Sequence, residues 1–340
     1  MRRLMRLLST RAGRMRRDER GAVSVIVALS MVALLGFVAI TVDIGALYAE
    51  RAELQNGADA AALAVAQDCA AAGACTTTGP DASWLGAAAT TARSLANANA
   101  RDGATNVASL TSPARYSVQV TTGTRDGATG AGALAYTFAP VLGIDSARPT
   151  ATATAAWGSP KAGPAVLPLA FAPCEFALGG DIRVFRTHGD ATCSSTSPSG
   201  KVLPGGFSWL ADPSGTCTVR VDIDVNATIP SDNGNSLPSG CSTVLTPSMA
   251  GKTLLLPVFV DVGGTGSNGW YKIRGWAAFE LLGWNFSSAS YHSTTYSIAK
   301  CTGSCRGLIG RFVRFVSFDE RFTRTDLDPD LGTALIYLSH

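Results

Sequence analysis

The chain has 340 residues, of which 46% are hydrophobic and only 16% are charged, and its net charge is +3. A mean hydropathy of +0.18 is mildly apolar and excludes a polytopic membrane protein. The length accommodates about two ordinary domains, or one domain and an anchor. Alanine, glycine, serine and threonine supply much of the remainder, which favours a turn-rich exterior domain with short strands over a large enzyme core.

Residues 1–20 form a basic tail. Its arginines all precede the first long apolar segment, and they leave the rest of the chain net acidic. By the positive-inside rule, they place the N-terminus in the cytoplasm and the C-terminal part outside. Attraction of each arginine to anionic lipid is worth on the order of 1 kcal/mol. Because the tail has no nucleic-acid motif and no interleaved aromatic residues, we predict no nucleic-acid partner. The arginines are Arg2, Arg3, Arg6, Arg11, Arg14, Arg16, Arg17 and Arg20.

An uncharged apolar run, AVSVIVALSMVALLGFVAITV, extends from Ala22 to Val42. About 20 apolar residues in a helix cross a hydrocarbon layer of roughly 30 Å. We therefore predict a single transmembrane helix with its ends at Ala22 and Val42, and the lipid bilayer as a partner. A buried core helix is the alternative, but core helices are usually shorter and do not follow a polybasic leader. The nearest A-x-A site lies far beyond the run, at Ala64-Val65-Ala66, so we expect the helix to be retained.

The periodicity predicts that this helix continues beyond the membrane as a spine. Apolar or small residues recur at alternating steps of four and three, broken only by Arg51. This spine stripe can pack on the chain's own exterior domain or on the helix of a neighbouring subunit, and both alternatives stay open. Its members are Ile40, Ile44, Leu47, Leu54, Ala58, Ala61 and Val65.

Residues 20–66 resemble the N-terminal module of the Flp pilus-assembly TadE/TadG-like family of bacterial tight-adherence systems. Arg20-Gly21-Ala22 opens the apolar run, Val42-Asp43-Ile44-Gly45 closes it, and RAELQNGADAAALA follows from Arg51 to Ala64. The resemblance implies a non-enzymatic envelope protein, anchored in the bacterial cytoplasmic membrane, that supports pilus assembly or anchoring. Its implied partners are other Tad/Flp pilus components, or a second copy through the spine helix.

Two departures limit what the resemblance carries over. Pilins are cleaved after a glycine and usually carry glutamate at the fifth mature position, which is Ile26 when counted from Gly21. We therefore infer no prepilin-peptidase processing. Some larger TadG proteins carry a von Willebrand A-type domain with an Asp-x-Ser-x-Ser metal motif. This sequence has no such motif, so that adhesion chemistry is not carried over.

The predicted fold class is α+β, with five segments. Residues 1–20 are the cytoplasmic tail, and 21–66 are the transmembrane and spine helix. Residues 67–160 are predicted to be pilin-like, with a helix at 84–100 and a small antiparallel sheet built from 116–120, 134–138 and 150–157. The composition of residues 158–164, Gly-Ser-Pro-Lys-Ala-Gly-Pro, predicts a linker. Residues 161–320 are predicted to form an all-β, disulfide-braced exterior domain, with strands at 165–171, 217–229, 253–262, 269–281 and 310–318. Residues 321–340 are predicted to form a C-terminal extension, which we expect to be mobile from Arg321 to Asp330.

All cysteines follow the predicted span, and an even number in an exterior compartment favours disulfides. Proximity pairs Cys69 with Cys75, Cys174 with Cys193, Cys217 with Cys241, and Cys301 with Cys305. A bridge over loops of this size is worth roughly 2–4 kcal/mol. A zinc site is the alternative for Cys301 and Cys305, but the sequence lacks a second ligand pair, so we predict no metal.

The sequence offers few candidates for catalysis, and none of them forms a recognisable catalytic motif. His188, His292 and His340 lie in no nucleophile or zinc motif, and Asp222 and Asp224 fit a solvated strand face. The glycine-rich segment 263–269 predicts a hairpin turn rather than a phosphate loop. Tryptophans at 209, 270, 276 and 284 favour a β-domain core over a carbohydrate-stacking surface.

We therefore predict no enzyme activity and no cofactor. The alternative function is a cell-surface binding module that recognises wall polymer or a host surface. A surface hydrolase is a third class, which would need a histidine and carboxylates together in one cleft.

Overall fold

The computed structural model describes residues 2–73, 75–187, 190–224, 228–232, 234, 236–265, 268–293, 300–325 and 330–339, with side chains except at 2–20, 22 and 190–192. Contacts divide the chain into two units. Unit 1 comprises Met1–Ala60, Arg93–Ser109 and Thr121–Thr152, and unit 2 comprises Ala61–Ala92, Leu110–Val120 and Ala153–His340. One long apolar N-terminal helix, a mixed content in which strands dominate, and disulfides characterise the fold.

In chain order the helices are α1 (Arg2–Ala72), α2 (Leu85–Ala98) and α3 (Cys241–Val244). The strands are β1 (Thr105–Thr111), β2 (Ser117–Thr124), β3 (Leu134–Ala135), β4 (Ser146–Ala147), β5 (Thr150–Ala165), β6 (Leu169–Phe171), β7 (Arg183–Arg186), β8 (Asp190–Thr196), β9 (Val202–Gly205), β10 (Phe207–Trp209), β11 (Val219–Asp222), β12 (Thr228–Pro230), β13 (Lys252–Gly263), β14 (Trp270–Asn285), β15 (Ser290–His292), β16 (Gly307–Val313), β17 (Phe315–Ser317), β18 (Thr323–Thr325) and β19 (Thr333–Ser339).

Helix α1 contains the one stretch, among the described residues, that is long and apolar enough to cross a membrane. None of the residues in its most apolar part is buried, whereas a core helix of a soluble protein would be mostly buried. Val42, the predicted C-terminal end of the span, is exposed, and the side chain of Ala22 lies outside the described residues. The helix ends at Ala72 because Gly73 follows with φ of +61°, the left-handed conformation that terminates helices.

The strands form two large sheets. A seven-stranded sheet has the order β1-β2-β5-β19-β17, with β11 and β18 also paired to β5. An eight-stranded sheet has the order β10-β6-β13-β14-β16-β7, with β12 and β15 also paired to β14. The pairs β3-β4 and β8-β9 are separate. The predicted hairpin at 263–269 joins antiparallel β13 and β14, with Gly263 opposite Trp270, although 266 and 267 lie outside the described residues.

Two buried clusters among the described residues of unit 2 lie on opposite faces of the eight-stranded sheet. Alternate residues of β14 separate them: Ala277 and Phe279 enter one cluster, and Trp276 and Ala278 enter the other. The first cluster centres on phenylalanine rings, with the centroid of Phe171 5.0 Å from that of Phe312. The second cluster includes Val221 of β11 and Ala165 of β5, and it therefore joins this sheet to the seven-stranded one.

The predicted linker at 158–164 is wrong, because these residues lie inside β5 and pair with β11, β18 and β19. Its glycines serve close packing instead of flexibility. A Cβ on Gly158 would lie 2.6 Å from the Thr325 carbonyl oxygen, and a Cβ on Gly163 would lie 2.1 Å from the Phe322 ring. The domain boundary predicted between residues 160 and 161 therefore falls within a strand.

Two other strand predictions need correction. The single strand predicted at 217–229 is two strands, β11 and β12, in different sheets. The predicted mobile C-terminal extension is wrong for 323–325, which form β18, and the apolar residues that follow form β19, paired on both sides to β5 and β17. Residues 326–329 lie outside the described residues.

Candidate membrane-proximal site

Asp43 follows directly after the apolar run, and its carboxylate holds a loop of unit 1. The side chain is 5% exposed. One oxygen accepts the backbone N–H of Thr137 at 2.8 Å. The other accepts the N–H groups of Phe138 at 3.0 Å and Ala139 at 2.7 Å. An ionised carboxylate that accepts three N–H groups forms charge-assisted hydrogen bonds, which are about twice as strong as neutral ones.

The clamped segment, residues 136–144, is a short turn between β3 and β4, which we call the apolar loop. A 3₁₀ turn at Ala139–Leu142 begins with Pro140 near its start and ends at Gly143, whose φ is +78°. Proline fits this position because its φ is fixed and it has no N–H to satisfy. The strand predicted at 134–138 ends at Ala135. The N–H groups of Thr137 and Phe138 donate to the Asp43 carboxylate and are therefore not available to a neighbouring strand.

The apolar loop and α1 line a hydrophobic groove in unit 1 with a volume of about 620 Å³. From α1 come Leu35, Gly36, Ala39, Ile40, Asp43, Ile44 and Leu47, and from the loop come Tyr136, Phe138, Ala139, Val141, Leu142 and Ile144. Three members of the predicted spine stripe, Ile40, Ile44 and Leu47, thus belong to this groove. Ile40 and Ile44 are exposed, and Leu47 is half-buried.

The next part of α1 is fastened to β2 within unit 1. Leu54 is 3% exposed, and its carbonyl oxygen accepts the hydroxyl of the buried Thr122 at 2.8 Å. One turn earlier, the hydroxyl of Thr124 donates to the carboxylate of Glu50. Gln55 donates to Asp59 at 2.9 Å along the helix. Through Glu50 and Leu54, the helix is therefore hydrogen-bonded to β2.

Helix α2 packs on α1 where the side chains of the spine stripe are small. A Cβ placed on Gly57 would lie 3.3 Å from the carbonyl oxygen of Ala96, so the two backbones approach closely in unit 1. Ala58, the stripe residue beside Gly57, is fully buried. In unit 2, Ala61 and Val65 are buried as well, and the Thr91 hydroxyl of α2 donates to Asp68 at 3.1 Å. From Leu54 to Val65, the spine stripe is thus buried within the chain itself.

Four disulfides brace unit 2. They join Cys69 to Cys75, Cys174 to Cys193, Cys217 to Cys241, and Cys301 to Cys305, the pairs that proximity indicates, and none of the described cysteines is free. Cys69 and Cys75 cross the end of α1. The other three bridges join residues after 173, and one of them includes Cys241, the first residue of α3.

Asp212 orders the turn before Cys217. Its carboxylate accepts the Cys217 N–H at 2.7 Å, and the hydroxyl and N–H of Ser214 also donate to it. Burial acts to raise the pKa of Asp212, but the hydrogen bonds from Ser214, Cys217 and Thr218 together hold this pKa below its ordinary value.

Of the residues considered for catalysis, those that the structure describes form no shared site. Strand β11 ends at Asp222, and Asp224 lies beyond it with its N–H donated to the Asp222 carboxylate at 3.0 Å. The two aspartates therefore form a local turn instead of the predicted strand face. His292 is exposed on β15, and His188 and His340 lie outside the described residues. No group of three or more potential metal-ligating side chains occurs in the described part of the chain.

The tryptophans belong mainly to the core. Trp209, Trp276 and Trp284 are buried, and Trp270 is half-buried on β14. Three of the four side chains considered for carbohydrate stacking are thus unavailable for it.

Sequence reasoning missed the role of Asp43 and the whole apolar loop. The available signal was an acidic residue directly after the apolar run, within the Val-Asp-Ile-Gly stretch that carries the resemblance. Its hydrogen-bond partners lie more than 90 residues further along the chain, and no local pattern predicts them.

Comparison with known proteins gives one match. Neither the curated proteins nor the solved structures contain a match to the chain. The model of the Tad family, described as "Putative Flp pilus-assembly TadE/G-like", matches residues 21–68. This segment comprises the apolar span, Asp43 and the spine stripe. The resemblance drawn from residues 20–66 is confirmed over that segment: residues 21–68 are similar to the TadE/G-like family of Flp pilus assembly.

Proposed function

We propose that the protein is a non-enzymatic structural component of a Tad/Flp-type pilus assembly or secretion apparatus. The TadE/G-like match to residues 21–68 carries this proposal. The matched residues all lie on α1, from the apolar span to the end of the spine stripe, and the proposed role is therefore that of a helix that both tethers and assembles.

The proposed location is the bacterial cytoplasmic membrane. The apolar run, in which no described side chain is buried, supports a single span, and the arginines of residues 1–20 favour a cytoplasmic N-terminus. In this orientation, residues 161–320 and the disulfides lie outside the cytoplasm, where disulfides persist. The long N-terminal helix followed by antiparallel strands supports a pilin-like layout for the first half of the chain.

The proposed contact with other pilus components, or with a second copy, uses the face of α1 that the chain itself leaves uncovered. Leu54, Ala58, Ala61 and Val65 are buried, so the face opposite them remains for a partner. Tyr48, Ala52 and Asn56 are exposed on that side. Their spacing of four residues places them on one helix face.

The alternative, a surface-binding module that recognises wall polymer or a host surface, gains no support from the tryptophans at 209, 276 and 284, because they are buried. For a non-enzymatic role, the support is the nature of the matched family.

A gene deletion, complemented from a plasmid, tests the proposed function. We expect the deletion to abolish or strongly reduce surface Flp pili, and the wild-type gene to restore them. A matched control is a variant that lacks only the Cys301–Cys305 bridge, Cys301→Ser with Cys305→Ser, which leaves the TadE/G-like segment intact and should restore pili. Unchanged piliation in the deletion, with no Tad component recovered from crosslinked membranes, would refute the proposal.

A further inference from the structure

The apolar loop exposes side chains that a water-facing turn rarely carries together. Val141 is 89% exposed and Leu142 is 72% exposed, and Phe138 and Ile144 beside them are also exposed. Scattered apolar residues on a surface need no explanation, but a contiguous apolar patch usually marks an interaction site. Here the patch is continuous with the lipid-facing part of α1, because both line the same groove.

The groove locates the loop along the span. On the α1 side it begins at Leu35 and Gly36, which lie seven and six positions before Val42. At a rise of 1.5 Å per residue, this is about 10 Å inside the predicted end of the span. If α1 crosses a bilayer from Ala22 to Val42, the loop residues that face Leu35 lie at the depth of acyl chains.

The backbone of the loop is prepared for an apolar medium. Irregular backbone is costly in hydrocarbon because each unpaired N–H or C=O costs several kcal/mol. Asp43 accepts the N–H groups of Thr137, Phe138 and Ala139. The N–H groups of Val141, Gly143 and Ile144 donate to carbonyl oxygens within the loop, and Pro140 has none.

The edge of the loop fits the boundary between lipid and water. Tyr136 lies where the loop meets β3, and its N–H donates to the carbonyl oxygen of Asp145 at 3.0 Å. Tyr48 is exposed on α1 just beyond the groove. Tyrosine is enriched at membrane interfaces, where its ring is apolar and its hydroxyl is hydrated.

From these observations we propose that the apolar loop is a second membrane contact, which enters the leaflet at the C-terminal end of the span. Phospholipid acyl chains cover Phe138, Val141, Leu142 and Ile144 and fill the groove against α1. Asp43 holds the loop at this depth. The inference rests on the membrane anchorage proposed above and is independent of the role in pilus assembly.

A depth measurement on the full chain tests this. All cysteines are paired, so single cysteines can be introduced at exposed positions and labelled with an environment-sensitive fluorophore. Leu142→Cys reports the loop. Val202→Cys, on β9 and 71% exposed, is the matched apolar control, and Val32→Cys, 69% exposed, reports the span. The proteins are reconstituted in phosphatidylcholine/phosphatidylglycerol vesicles at high lipid-to-protein ratio, so that copies stay apart.

Spin-labelled phosphatidylcholine, with the label on the acyl chain, should quench the probes at 142 and 32. Iodide in the buffer should quench the probe at 142 several-fold less than the probe at 202. Iodide quenching at 142 equal to that at 202 would overturn the inference. Protection of 142 from both quenchers would also overturn it, because a protein surface would then cover the loop. Lipid quenching at 32 without quenching at 142 would refute the loop contact alone, whereas its absence at both positions would refute the anchorage as well.

Discussion

Replacing Leu54 by alanine removes a side chain that is 3% exposed, on the turn of α1 that is fastened to β2. The change deletes three carbon atoms, and at about 0.8 kcal/mol per buried methylene the lost transfer free energy is about 2.4 kcal/mol. A cavity between a helix and a sheet closes only partly, which raises the expected loss in the free energy of unfolding to roughly 3–5 kcal/mol. Thr122 still donates to the Leu54 carbonyl oxygen, because the backbone is unchanged.

Pulse proteolysis in a urea gradient, on the full chain in detergent micelles, measures this loss. The control is Tyr48→Ala, which truncates a larger side chain on the same helix at a position that is 71% exposed. We expect that control to change the free energy of unfolding by less than about 0.5 kcal/mol. If Leu54→Ala lowered the free energy of unfolding by less than about 1 kcal/mol, no more than the control does, the burial of the spine stripe within its own chain would be refuted.

Three further predictions concern single sites. Asp43→Ala should make the backbone amides of Thr137, Phe138 and Ala139 exchange with deuterium several-fold faster, and unchanged exchange would show that the carboxylate does not hold the loop. Alkylation without reductant should label essentially none of the cysteines, because all are paired; four or more free thiols would contradict the disulfides. Because the pKa of Asp212 is lowered in the folded state, its contribution to stability is present above about pH 4 and is lost as pH falls through the folded-state pKa. The melting temperature of the wild type should therefore exceed that of Asp212→Asn at neutral pH and converge with it in acid; a constant difference would contradict this sign.

The parts of the fold that local patterns encode were predictable. The apolar run and the three-four periodicity predict a helix over residues 21–66. The observed helix α1 is longer, from Arg2 to Ala72, and Gly73 ends it by a local backbone preference. The alternating threonines and alanines of residues 150–155 predict the start of β5, and the burial pattern has the alanines at 151 and 153 inside.

Long-range pairing decided the rest. Residues 158–164 have the composition of a linker, yet they are a strand because β11, β18 and β19 approach them, and glycine is the residue that allows such close contact. The Asp43 carboxylate meets N–H groups more than 90 residues away, and its role depends on where the chain returns to α1. Neither contact leaves a periodic signal in the sequence.

Crosslinking in living cells tests whether α1 is both a membrane tether and an assembly element. A photoreactive amino acid at position 48 lies on the exposed face of α1, and the same amino acid at position 54 lies on the buried face as the control. This double role predicts adducts from position 48 to Flp pilus-assembly components or to a second copy, and intramolecular products from position 54. Piliated cells that give no adduct from position 48, or that give partner adducts only from position 54, would contradict it.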